Sequence, residues 1–126
     1  MAPVRVLIVD DSSVMRKIIE RALRQAGIEQ LEVHEAASGN EALAFLSEAQ
    51  VDLILSDINM PSMDGLELLR QLRARQAAHG VPVVMITTES SEQHVMQAIE
   101  AGAKGFLRKP FTVDEVKERV LRLLVA

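Results

Sequence analysis

Five residues of this chain could act together on one substrate group: Asp10, Asp11, Asp57, Thr87 and Lys109. Asp10 and Asp11 close an apolar run that begins at Val4, Asp57 closes one that begins at Leu53, and Thr87 closes one that begins at Val83. Lys109 follows a fourth run, Gly105 to Arg108. If the runs are strands, the three carboxylates and the hydroxyl share the carboxyl edge of a sheet, where ligands of open α/β folds collect at the point of strand-order reversal. Carboxylates about 4 Å apart repel by several kcal/mol at an intermediate dielectric, so something cationic must compensate. Mg²⁺ suits a set of hard oxygens and takes one or two carboxylates plus phosphate oxygens. Lys109 is the second compensating charge, and Thr87 adds a hydroxyl donor. A nucleophilic carboxylate, a metal and donors for the remaining charge are what phosphoryl transfer to a carboxylate requires. Any one of these acids alone would be an ordinary helix-start residue; the combination points to chemistry.

The elements that must position this group are legible as an alternation. Five short apolar runs, Val4 to Asp10, Leu31 to Ala36, Leu53 to Asp57, Val83 to Thr87 and Gly105 to Arg108, alternate with longer segments of helical period. That is the pattern of βα units feeding a parallel sheet, an α/β fold. The first, third and fourth runs are almost wholly apolar, as strands covered on both faces are, and belong at the sheet's centre. Ser38 with Glu41, Ser90 with Gln93 and Thr112 with Glu115 have capping-box spacing, and Gly27, Gly80 and Gly102 fall where helices should stop. In the last helix Val113, Val116, Val120, Leu123 and Leu124 form one stripe, with Lys117, Glu118 and Arg122 facing away.

Composition narrows the function classes. A chain of 126 residues, 48% hydrophobic, suffices for one core. The net charge of −4 gives no basic stripe, so direct nucleic-acid binding is not expected. Without Cys there is neither disulfide nor thiolate metal site. The N-terminus reads as a strand and not a signal peptide, and no stretch is long enough to span a bilayer. The expectation is a cytoplasmic monomer with protein partners and no membrane contact, one domain over residues 1–126 without an output domain.

Asp10-Asp11, Asp57, Thr87 and Lys109-Pro110, in this order and spacing, resemble the signature set of CheY-like response-regulator receiver domains. The segment from Ser56 to Gly65 is similar to that family's phosphoacceptor loop, and Ala101-Gly102-Ala103 before Gly105-Phe106 to its fourth-helix exit. The resemblance covers the whole chain. It implies a flavodoxin-like (βα)5 three-layer sandwich with a five-stranded parallel sheet in the order 2-1-3-4-5. It also implies phosphorylation of Asp57 by a histidine kinase, with Mg²⁺ ligated by Asp11, Asp57 and the backbone carbonyl of Asn59, and through water by Asp10. Thr87 would turn to the phosphoryl group, Lys109 would pair with it, and the Lys109-Pro110 bond would be cis. Phe106 would be the aromatic switch, entering a pocket framed by Ser91, Val95 and Ile99. The downstream protein target would dock on helix 4, strand 5 and helix 5, in chemotaxis or motility control or as a phosphorelay shuttle.

Some residues are particular to this chain. Phe106 lacks the hydroxyl of the Tyr in chemotaxis-type members. Thr88 is larger than the residue usual after the switch Thr and would narrow access to Asp57. Asn59 and Glu89 match the pair of fast-resetting receivers, implying a short-lived phosphoryl state. His34, His79 and His94 form no ligand set, and Met60 and Met63 read as loop packing. An Asp-nucleophile phosphatase would carry a second acid where Asn59 stands, and an FMN module a Gly-rich phosphate loop where Asp10-Asp11-Ser12-Ser13 stands. A protein-binding adaptor would have no need of Asp57, Thr87 and Lys109. The reading is thus a signalling phosphoacceptor that assists its own phosphotransfer and dephosphorylation, not an enzyme.

Overall fold

The computed structural model describes residues 3–28, 30–75, 80–88 and 92–124. Within them β1 (Val4–Val9), β2 (Leu31–Ala36), β3 (Leu53–Asp57), β4 (Val83–Thr87) and β5 (Gly105–Arg108) form one sheet in the order β2-β1-β3-β4-β5. Every pairing is parallel. The strand expected to run through Asp10 ends one residue sooner. Asp10 still donates its amide to the Ala36 carbonyl at 3.1 Å, but its carboxylate accepts from the Ser12 amide and starts the turn.

Because neighbouring strand residues point to opposite faces, the apolar runs divide between two cores. Leu7, Val9, Ile54 and Met85 pack with α2 (Gly39–Leu46) and α3 (Gly65–Ala74), and with Ala98 of α4 (Glu92–Glu100). Val6, Ile8, Leu53, Leu55, Val84 and Ile86 pack on the other face with Ile19, Ala22 and Leu23 of α1 (Ser13–Gln25). There they also meet Val116 and Val120 of α5, which opens as Val113–Val116, widens into a π turn at Lys117–Leu121 and closes as Arg122–Leu124. Three layers result, with β1, β3 and β4 innermost as the apolar runs predicted.

The helix ends follow local chemistry. Ser12, Ser38, Asp64 and Thr112 each accept a backbone N–H of the first turn of their helix. The Thr112–Glu115 box is reciprocal. At Ser38 only half of the expected box forms, since the Glu41 carboxylate reaches the Ala37 amide instead. The Ser90–Gln93 pair lies outside the described residues. Gly27 and Gly102 stop α1 and α4 with φ of 98° and 108°. Gly80 also has positive φ, 79°, but α3 already ends at Ala74, so Gly80 shapes the approach to β4 and is not the helix stop the spacing predicted. The π turn in α5 was not legible as a break in the apolar stripe.

Candidate functional site

The parallel register brings the ends of β1, β3 and β4 level, with Val9 opposite Ser56 and Asp57 opposite Ile86. Asp10, Asp11 and Asp57 each offer a carboxylate oxygen, all within 4.8 Å of one another. Asp10 and Asp57 are buried, at 1% and 6% exposure, while Asp11 faces solvent at the mouth. Lys109 closes the ring: its Nζ lies 3.2 Å from Asp10 Oδ2 and 3.6 Å from Asp57 Oδ2. The expected reach to Asp57 is therefore met, with Asp10 the nearer partner. The Lys109-Pro110 peptide is cis.

Asp57 is held from its own loop. The Asn59 amide donates to Asp57 Oδ1 at 3.3 Å, and the Asn59 side chain is exposed. Behind it α3 begins against the strand end, where the Gly65 amide donates to the Ile58 carbonyl at 2.8 Å. A Cβ on Gly65 would overlap the Asp57 carbonyl oxygen, so this approach requires glycine. Met63 lies over Gly39 at the start of α2, and Met60 is buried, so both methionines do pack the loop.

Desolvation raises the Asp57 carboxyl above its ordinary pKa; Lys109 opposes that, Asp10 adds to it, the Asn59 amide opposes it and Asp11 adds to it. Burial and like charge thus outweigh a single lysine. A hard divalent cation would balance the surplus, and three carboxylates at this spacing are a suitable donor set. Thr87, wholly buried at the end of β4, pairs with Arg108 of β5, while Thr88 beside it is exposed.

A sequence model described as the response regulator receiver domain matches residues 6–121. The chain belongs to the response-regulator receiver family. It is 39% identical over 116 residues to the chemotaxis protein CheY-3 of Vibrio cholerae, covering 92% of this chain and 88% of that one. The solved structure of chemotaxis protein CheY4 from Vibrio cholerae superposes with a TM-score of 0.85 at 38% identity, covering 97% of this chain and 99% of that one. The receiver domain of a Pseudomonas aeruginosa sensor histidine kinase, solved with a magnesium ion coordinated in its active-site cleft, has a TM-score of 0.85 at 28% identity. That match covers 99% of this chain and 100% of that one. The fold is thus the CheY-like flavodoxin arrangement. Receiver domains are signalling domains and not classical enzymes; they accept phosphoryl groups from histidine kinases.

In this receiver domain Phe106 sits half-buried on β5 with the Arg119 guanidinium 4.9 Å from its ring centre, a cation–π distance. Met96 and Ile99 are exposed on α4. Val95 is half-buried, whereas Ser91 lies outside the described residues, as do Glu89 and His79. His34 pairs with Glu32 at 2.7 Å and its ring lies tilted against Phe45, 4.8 Å between centres, while the cluster of possible metal ligands among the described residues, Asp10, Asp11 and Asp57, includes neither His34 nor His94. No helix among the described residues is long and apolar enough to cross a membrane.

Sequence reasoning missed the support of the β1–α1 turn. Arg16 donates through Nη1 to the Asp10 carbonyl at 2.6 Å and through Nε to Glu35 at 2.8 Å, and Lys17 reaches the other Glu35 oxygen at 2.8 Å. On sequence alone Arg16 and Lys17 are two cations on a helix. Only the β1–β2 pairing puts Glu35, 19 positions away from Arg16, beside them.

Proposed function

We propose that this protein is a two-component response regulator that takes a phosphoryl group from a histidine kinase on Asp57 and signals to a protein target in the cytoplasm. The observation that carries the proposal is the close set of Asp10, Asp11 and Asp57 with Lys109 across it. Asp57 is the buried carboxylate of that set which Lys109 and the Asn59 amide both address. One of its oxygens forms the new O–P bond as the donor's N–P bond breaks; the bonding pair leaves with the histidine ring, which takes a proton from water.

Asp11, Asp57 and the Asn59 carbonyl would hold Mg²⁺, with Asp10 acting through a water. The metal would supply charge to offset the phosphoryl oxygens. Lys109 turns from Asp10 to the phosphoryl oxygens, and the Thr87 hydroxyl donates to another. A few charge-assisted hydrogen bonds of this kind are enough to bias a two-state element. The element is Phe106, which moves inward on α4, β5 and α5 and changes the face offered to the target. Asn59 and Glu89 set how quickly water resets the site. The chemotaxis proteins among its relatives favour a role in chemotaxis or motility control.

Incubation with Mg²⁺ and acetyl phosphate, read by intact mass, tests the proposal. The chain has no Trp or Tyr to report by fluorescence. One phosphoryl group should be gained, only with Mg²⁺, and Asp57→Asn should gain none. A gain that persists in Asp57→Asn would move the phosphoacceptor elsewhere.

A further inference from the structure

We infer that Arg16 is a positioning residue for the metal-binding pair of carboxylates, acting through the peptide that joins Asp10 to Asp11. The inference rests on the reading of this site as a Mg²⁺-dependent phosphoacceptor. Both carboxylate oxygens of Asp10 are already engaged, Oδ1 by the Ser12 amide at 2.9 Å and Oδ2 by Lys109 at 3.2 Å. What remains to fix is the plane of the following peptide, because its rotation swings the exposed Asp11 carboxylate relative to Asp57. The Arg16 guanidinium bonds the carbonyl oxygen of that peptide at 2.6 Å, shorter than the bonds of Ser12 and Lys109 to the Asp10 carboxylate.

The guanidinium is itself aimed. Its Nε is tied to Glu35 Oε1 at 2.8 Å, and Glu35 is held in turn by Lys17 at 2.8 Å on its other oxygen. The Arg16 side chain is largely buried, with 16% exposure. A planar fork that spans two acceptors fixes direction in a way a single ammonium does not. Strand β2 thereby sets the geometry of a site to which it contributes no ligand.

Charge and geometry make opposite predictions. Removing a cation near the site should tighten Mg²⁺ binding if Arg16 acts only through its charge. If it positions Asp11, removal should weaken binding. Mg²⁺ affinity of the whole chain, measured by calorimetry at a temperature where circular dichroism shows each variant folded, separates them. Arg16→Met should bind about tenfold more weakly, the low end of the cost of losing an outer-shell partner. Glu35→Gln should also bind more weakly with Arg16 intact, and the double variant should be no weaker than Arg16→Met alone. Equal or tighter binding by Arg16→Met, or additive losses in the double variant, would overturn the inference. A wild-type chain that binds no Mg²⁺ would instead overturn the phosphoacceptor reading, and this inference with it.

Discussion

Asp57 carries a cost that its chemistry requires. A buried carboxylate beside two others binds a proton more tightly in the folded chain than in the unfolded one. Between the ordinary value of 3.8 and the raised folded pKa, the native state therefore holds more protons than the unfolded state, and stability falls as pH rises through that window. Without Mg²⁺, Asp57→Asn should stabilise the protein at neutral pH by on the order of 1 kcal/mol, and the gain should vanish well below pH 3.8. Urea unfolding across pH checks both parts; a gain that persists in acid would assign it to packing instead. Lys109 lowers the Asp57 pKa, so Lys109→Met should move the carboxyl titration upward in carbon-detected NMR.

At the scale of elements, α3 and β3 meet so closely that one methyl group decides the fit. Gly65 is buried at the first turn of α3, against the Asp57 carbonyl and the Ile58 backbone. Those neighbours are main chain, which cannot rotate away as a side-chain tip could. Gly65→Ala should cost about 1–3 kcal/mol in denaturant unfolding, the usual range for overpacking. The same variant should weaken Mg²⁺ binding, because relief of the overlap displaces the residue that bears the phosphoacceptor. Unchanged stability would mean that α3 can slide on the sheet without penalty.

For the whole molecule, the site lies at the carboxyl edge of a sheet whose two faces are each buried in an apolar cluster. A ligand held by β1 and β3 together binds the folded chain and not the unfolded one, so it should stabilise the entire fold. At 100 times its dissociation constant, Mg²⁺ should add about 2.7 kcal/mol. In a chain of this size that corresponds to a rise in Tm on the order of 10 °C. Asp11→Asn should lose most of this shift while its Tm without metal changes little, since Asp11 is exposed. A shift that survives Asp11→Asn would place the cation elsewhere.

Strand boundaries other than the end of β1, the inner position of β1, β3 and β4, and the acids at their ends were legible because they depend on local pattern. Apolar runs flanked by helix-period segments can bury both faces only as inner parallel strands. Asp10 and Asp57 follow such runs directly, so their place at the carboxyl edge needed no coordinates. The spacing around Asp57, Thr87 and Lys109 carried the family resemblance in the same way. Other features depend on which distant segments meet, and no local pattern encodes that. The salt bridge of Lys109 to Asp10 joins residues 99 positions apart, and the nearer of its two acid partners could not be chosen from spacing. Gly80 looked like a helix stop, yet α3 ends sooner. Arg16 and Glu35 are ordinary surface charges in one dimension; they become a brace for the Asp10 carbonyl because the parallel pairing of β1 with β2 lays Ala36 beside Val9.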